Sequence, residues 1–127
     1  MEDKEMKEII DEYINAYNKF DENGLIKNLH KNVKFKNIVN EKVNLQLTGK
    51  HAFKKQVKQA ATLFKKREMK IIEQTINGNI VENKIHFSGV FAVDIPHGPN
   101  VDETIEFEAK SLFKFRGGKI ILIEDIN

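Results

Sequence analysis

The sequence predicts one α+β domain in which three helices cover a single face of a bent antiparallel sheet. Two observations carry this prediction. The first half of the chain has helical spacing of apolar residues, and the second half is a run of strands joined by short turns. The clearest strand pair is the hairpin over residues 103–126, where apolar and polar residues alternate on both sides of a Gly-Gly turn.

The hairpin turn fixes the predicted register. Gly117 and Gly118 suit a two-residue turn, because both central residues of such a turn need positive φ. Counting back from the turn, Phe113 then faces Leu122. Ser111 faces Glu124 on the same, buried side of the sheet.

The first helix is predicted over residues 2–20, with apolar side chains recurring every three or four positions. Asp21 can cap a short second helix around Leu25. Residues 33–39 then read as a strand, and residues 41–47 as either a loop or a short strand.

The third helix is predicted over residues 50–66, beginning after Thr48-Gly49. Eight Lys or Arg and no acid lie between Lys42 and Arg67. A solvated helix face is the usual explanation of such a run. A surface for an acidic protein partner is the alternative, while nucleic-acid binding is not expected, because exposed aromatics and a known motif are missing.

The remaining strands are predicted over residues 68–77 and 80–95, separated by an Asn-Gly-Asn turn and followed by a loop from Pro96. Together with the hairpin they form an antiparallel meander. No linker or repeat divides residues 1–127, so a single domain is expected.

Composition excludes several kinds of site. The chain has no cysteine, so disulfides and thiolate chemistry are excluded. The four histidines, His30, His51, His86 and His97, lack metal-ligand spacing, so neither a metal nor another cofactor is expected. The charged start is unlike a signal peptide and no apolar run is long enough to span a membrane, which suits a cytoplasmic protein without membrane contact.

Polar residues on faces that should be buried are the candidate site. Glu124 is the strongest of them, since a buried carboxylate must be paired, hydrated or protonated. Tyr13 and Ser111 are candidate hydroxyl donors beside it. The predicted pocket is completed by Tyr17, Asn37, Phe35, Phe87, Phe91, Phe107 and Phe113. Each of these residues also has a purely structural interpretation, as a core aromatic or as a polar group that reaches water.

Three stretches resemble the nuclear-transport-factor-2-like superfamily, which includes SnoaL-like cyclases and ketosteroid isomerases. They are residues 13–35, residues 47–53 at the start of the third helix, and residues 111–121 at the Gly-Gly hairpin. The resemblance implies a cone-shaped sheet whose concave face is closed by helices around an apolar pocket, and often a homodimer.

The resemblance to ketosteroid isomerases can be followed residue by residue. Their oxyanion-donor tyrosine matches Tyr13, their general-base aspartate falls on Asn37, and their protonated aspartate falls on Ser111. An amide cannot accept a proton at neutral pH, so that particular isomerisation is not expected.

The sequence therefore leaves three functions open. The first is binding of a small apolar molecule without catalysis. The second is an isomerase, cyclase or dehydratase reaction on an apolar carbonyl compound, with Glu124 as acid or base. The third is a protein-interaction module that uses the basic third helix. A homodimer is also expected, through an outer sheet face carrying Leu112, Ile121, Ile123, Val90 and Ala92.

Overall fold

A computed structural model describes all residues, 1–127. Three helices and six strands follow one another in the order α1 (Asp3–Asn18), α2 (Glu22–Ile26), β1 (Leu29–Val39), β2 (Lys42–Thr48), α3 (Lys50–Ala61), β3 (Phe64–Asn77), β4 (Ile80–Phe91), β5 (Thr104–Arg116) and β6 (Lys119–Ile126). The α+β class is confirmed, with three helices over a bent, cone-like sheet. No helix is both long and apolar enough to cross a membrane.

The sheet is mixed rather than purely antiparallel, which corrects one part of the prediction. Its strand order is β2-β1-β6-β5-β4-β3. Strands joined by turns are antiparallel, but β1 and β6 pair in parallel. The rule of antiparallel hairpins does not apply to this pair, because β1 and β6 are far apart in the chain and no turn sets their relative direction.

Local signals place the helices well. The Asp21 carboxylate accepts a hydrogen bond from the Gly24 N–H at 3.0 Å and caps α2. Gly49, with a φ of 95°, begins α3. However, α3 ends at Ala61, so Lys65, Lys66 and Arg67 belong to β3 and not to a basic helix. The predicted basic surface over residues 50–66 is therefore shorter than expected.

The register of the last hairpin is the main correction. Gly117 and Gly118 have φ of 60° and 78°, as the turn requires, and Phe115 faces Ile120 as predicted. Beyond that pair, Ile121 is an extra residue in β6, so Phe113 faces Ile123, and Ser111 faces Asp125 instead of Glu124. A single-residue bulge moves every following side chain to the opposite face of the sheet.

The outer face changes with the register. Ile123 has no exposed surface and lies in the core, so it cannot belong to the predicted dimer face. Leu112 and Glu124 instead pair on the outer side, where Glu124 lies 3.9 Å from the Lys36 ammonium. The homodimer stays a prediction, on a surface that now combines Leu112 with ion pairs such as Lys84–Glu108.

The core lies between the helices and the inner face of the sheet. The Tyr13 ring of α1 packs edge-on against Phe113 of β5 at 5.3 Å between centroids. Phe53 of α3 makes a similar contact with Phe35 of β1 at 5.4 Å. The Asn18 side chain, at the end of α1, exchanges two hydrogen bonds with the backbone of Met69 and ties the helix to the edge strand β3.

Candidate functional site

A row of polar side chains crosses the otherwise apolar inner face of the sheet, one on each of five adjacent strands. The members of this polar row, from β3 to β1, are Gln74, Asn83, Ser111, Asp125 and Asn37. The Gln74 amide donates to the Asn83 oxygen at 2.8 Å, and the Asn83 amide donates to Ser111 Oγ at 3.2 Å. Asp125 is the one ionisable member and lies between Ser111 and Asn37 on neighbouring strands.

Burial changes the acidity of Asp125. Loss of hydration raises the pKa of its carboxyl group from 3.8 to about 6. The residue is partly exposed and lines two cavities, so packed protein replaces much of the water around the carboxyl group while the cavities leave it accessible. No ion pair or hydrogen bond to its side chain offsets the loss of hydration. Asp125 is therefore an acid that can gain and lose a proton near neutral pH.

Two tyrosines of α1 face Asp125. Burial raises the pKa of Tyr13 well above its usual value, and the charge of Asp125 raises it further. Burial also raises the pKa of Tyr17 to about 12, with the nearby Arg67 charge acting in the opposite direction. Both hydroxyl groups therefore stay protonated at neutral pH and can donate hydrogen bonds.

Two small cavities meet at Asp125. The first, the helix cavity, has a volume of about 210 Å³ and is enclosed by α1, α3 and β1, with Tyr13, Phe35, Phe53 and Val57 in its wall. The second, the strand cavity, has a volume of about 220 Å³ and is lined by Phe64, Phe87, Phe107 and other apolar residues of β3 to β5. Tyr17, Asn37 and Asp125 line both cavities, so a ligand spanning the two would pass the carboxyl group.

Two larger depressions, of about 430 and 400 Å³, are grooves lined mainly by polar and charged side chains. Arg67 lines the first and Ser111 the second, but neither is lined by Tyr13, Tyr17 or Asp125. By volume alone the grooves would be the candidate ligand site. We take the two smaller cavities instead, because their walls are mainly apolar and contain Asp125, whose pKa is raised. No cluster of three metal-ligating side chains occurs in the chain.

Arg67 of β3 closes one side of the helix cavity. Its side chain is 6% exposed, and its Nε donates to the Tyr17 carbonyl oxygen at 2.8 Å. The guanidinium carbon lies 3.8 Å from the centroid of the Tyr17 ring and 4.3 Å from that of Phe20. Its Nη2 is buried without a hydrogen-bond partner. Asn37 Oδ1 is the other buried side-chain atom without a partner, so unsatisfied polar atoms are confined to this site.

The structure brings together several of the residues predicted from the sequence. Tyr13, Tyr17, Phe35 and Asn37 line the helix cavity, and Phe87 and Phe107 line the strand cavity.

Four predicted residues are placed elsewhere. Ser111 is 2% exposed and hydrogen-bonded within the polar row, and it lines neither cavity. Phe91 packs on Phe64, and Phe113 packs on Tyr13. Neither Phe91 nor Phe113 lines either cavity. Glu124 lies on the outer face, so its predicted position in the pocket is wrong, and the reason is the bulge at Ile121.

The sequence does contain signals for the two residues that were missed. Residues 120–123 are four consecutive apolar residues, which interrupt the alternation of β6 and indicate a bulge just before Asp125. Arg67 precedes Met69 and Ile71 at alternate positions, which is the strand pattern of an inward-facing side chain. Because Lys65 and Lys66 precede it, Arg67 was counted as part of the exposed basic run and not as a buried strand residue.

Comparison with known proteins identifies the family. The family model described as SnoaL-like domain matches residues 10–123, nearly the whole chain. The chain belongs to the SnoaL-like family. No curated protein sequence matches it significantly.

Solved structures support the fold of this SnoaL-like chain. A protein from Xanthomonas campestris pv. campestris, provisionally described as a polyketide cyclase, superposes with a TM-score of 0.80 at 19% identity, covering 96% of this chain and 89% of its own. TsrD from Streptomyces laurentii gives 0.81 at 15% identity, covering 98% and 89%. A Catenulispora acidiphila protein of ketosteroid isomerase-like fold, in complex with trimethylamine, gives 0.75 at 15% identity, covering 94% and 85%. At these identities the likeness shows the fold alone.

Proposed function

We propose that this SnoaL-like domain binds a small, mainly apolar carbonyl compound and transfers a proton on it, with Asp125 as the general acid–base. The observation that carries the proposal is an aspartate with a pKa of about 6 in the shared wall of two apolar cavities. A catalytic acid or base works best when its pKa lies near the operating pH. The family's provisionally described cyclases are consistent with a carbonyl substrate.

The proposed reaction uses Asp125 first as a base. Above its pKa the carboxylate removes a proton from the carbon next to the substrate carbonyl, and the electron pair of the C–H bond moves onto the carbonyl oxygen. A hydroxyl of Tyr13 or Tyr17 donates a hydrogen bond to the resulting enolate oxygen, a stabilisation that is strongest in a site without water. The protonated Asp125 then returns the proton to a carbon of the enolate.

Asn37 supports the protonated state of Asp125. The two residues face each other on β1 and β6, and Asn37 Oδ1 accepts no hydrogen bond. A protonated carboxyl group is a donor, so it can supply the hydrogen bond that this amide oxygen lacks. In the resemblance to ketosteroid isomerases, Asn37 falls on the position of the general base. Here it would instead assist Asp125, the proposed base on the neighbouring strand.

Binding without catalysis is the second candidate, and the size of the cavities favours it. Each cavity is smaller than the roughly 300 Å³ at the lower end of ligand pockets. In that case Asp125 is a buried acid that tunes the polarity of the wall. Replacing it by the isosteric Asn would then leave the affinity for a neutral ligand nearly unchanged.

Hydrogen–deuterium exchange on small cyclic ketones tests the proposal. Cyclohexanone and its homologues are incubated with the protein in D₂O, and loss of the α-proton signal is followed by NMR. Asp125→Asn should slow any protein-catalysed exchange by about 100-fold or more, the usual contribution of a general acid–base.

Glu124→Gln is the matched control, because it makes the same chemical change at the next residue on the opposite face of β6. It should leave the exchange rate unchanged. Exchange that is catalysed equally by the wild type and by Asp125→Asn would remove Asp125 from the reaction. Exchange lost in both variants would point to a general effect on the fold.

A further inference from the structure

A buried guanidinium without a counter-ion lies between the helix cavity and the larger polar groove of about 430 Å³, and Arg67 lines both. The Arg67 side chain makes one hydrogen bond, from Nε to the carbonyl oxygen of Tyr17, and no carboxylate lies within ion-pair distance of it. Its Nη2 is buried and donates to nothing. The only other arginine, Arg116, is exposed at the hairpin turn, and the Lys65 and Lys66 side chains beside Arg67 are exposed as well.

The protein compensates the charge of Arg67 only in part. The rings of Tyr17 and Phe20 lie within cation–π distance of the guanidinium carbon. Such contacts lie over the faces of the guanidinium and leave its N–H donors unpaired. Nε is already occupied and Nη2 has no partner, so the Nη end is the part that lacks an acceptor, and the two Nη nitrogens have the geometry to bind a carboxylate with two parallel hydrogen bonds.

The rest of the cavity limits the size and charge of an anion there. Phe35, Phe53 and Val57 give an apolar body a place to pack, and the volume of about 210 Å³ equals that of about seven waters at ~30 Å³ each. Asp125 is the one acid in the wall. Its negative charge would repel a second negative charge on the ligand, so a monoanion fits better than a dianion.

We propose that the helix cavity selects a small apolar monocarboxylate, whose carboxylate pairs with the Nη edge of Arg67 while its apolar body lies toward Asp125. This proposal names a substrate class for the proposed function. It rests on that function in one respect, that the carboxylate bound by Arg67 and the carbon reached by Asp125 belong to the same ligand. Arg67 is then a binding residue that sets orientation: it holds the anionic end, and Asp125 meets a carbon farther along the molecule.

Benzoate and benzamide are a pair of probes that separates charge from shape. Binding of each to the wild-type protein at pH 7 is measured by calorimetry and by NMR shifts of Tyr13 and Phe53, which line the helix cavity but not the polar groove. Benzoate should bind at least about tenfold tighter, the effect of one charge-assisted hydrogen bond. Equal affinities, or benzoate shifts confined to residues outside the helix cavity, would overturn the proposal without the need for any variant.

Arg67→Met and Lys66→Met are the matched variants, since they remove adjacent cations on opposite faces of β3. Arg67→Met should abolish the preference for benzoate and keep the fold, because replacing a buried unpaired charge by an apolar chain is often neutral or stabilising. Lys66→Met should retain the preference. Loss of the preference in Lys66→Met would assign benzoate to the polar groove, which Lys66 and Arg67 both line, and would contradict the proposal.

Asp125→Asn separates this inference from the proposed function. The variant should keep the preference for benzoate over benzamide, whether or not it has lost proton exchange. If Arg67→Met does not fold, Arg67→Lys replaces it. A lysine keeps the charge but lacks the planar fork, so the preference should fall without disappearing.

Discussion

Asp125 differs from the other acids of the chain in what surrounds its carboxyl group. Glu124, its neighbour, lies on the outer face beside Lys36, whereas Asp125 faces two tyrosines and two apolar cavities. Adjacent residues of a strand point to opposite faces, so one position separates a surface acid from a buried one. The chemistry of the site depends on that single position.

The raised pKa of Asp125 predicts how stability changes with pH. The folded state holds the proton up to about pH 6, while the unfolded state loses it near 3.8. The free energy of unfolding should therefore fall as the pH rises from about 4 to 6, and the cost of the buried charge should be complete above pH 6.

Asp125→Asn removes this cost. Above pH 6 the variant should be more stable than the wild type by at most about 3 kcal/mol, at ~1.4 kcal/mol per pKa unit, and the difference should vanish near pH 4. Urea unfolding at pH 4 and pH 7.5 measures it, with Glu124→Gln as the control. A difference that does not depend on pH would mean that Asp125 is not buried in the folded state.

The bulge in β6 shows which features of an element the sequence reveals. The helix cap at Asp21, the positive φ at Gly49 and the Gly-Gly turn follow from local backbone chemistry and were all predictable. The register beyond Ile121 depends instead on a bulge. The apolar run at residues 120–123 indicates that the alternation of β6 is interrupted, but it does not identify which residue is the extra one. The fold was predictable because it follows from element order, whereas the acid of the site was displaced by one residue.

The start of α3 depends on the backbone conformation of Gly49. Gly49 adopts a φ of 95°, and a side chain added there would meet nothing closer than 3.8 Å, so only backbone strain opposes a substitution. Gly49→Ala should lower the free energy of unfolding by about 1–3 kcal/mol. Lys50→Ala, one residue into the helix, should change it by less than about 0.5 kcal/mol. Equal urea midpoints for Gly49→Ala and the wild type would show that α3 can begin without this backbone conformation.

In the whole molecule, the functional groups meet where three parts of the fold converge. Helix α1 brings Tyr13 and Tyr17, the parallel pair β1–β6 brings Asn37 and Asp125, and the edge strand β3 brings Arg67. Sequence reasoning reached the first group and half of the second, because helical stripes and strand phase are local patterns. The alternation of Arg67 with Met69 and Ile71 indicates an inward-facing side chain only if Arg67 lies in the strand, and the prediction began that strand at residue 68 after a helix over residues 50–66.

The predicted homodimer would form through the outer face of the sheet. The outer face keeps Leu112 but loses Ile123 to the core, and ion pairs such as Lys36–Glu124 occupy part of it. Sedimentation velocity compares the oligomeric state of Leu112→Glu with that of the wild type. A dimer that forms through this face should dissociate in the variant. Equal sedimentation of both proteins would exclude that face.

Titration of the Asp125 carboxyl carbon decides whether Asp125 is a buried acid in the cavity walls or an ordinary carboxylate in water. NMR of protein labelled with ¹³C at the aspartate carboxyl groups, assigned with Asp125→Asn, follows the resonance between pH 3 and pH 8. A carboxyl group that has lost its hydration should titrate with a midpoint of about 6. A midpoint near the usual 3.8 would place the carboxylate in water and contradict the proposed site.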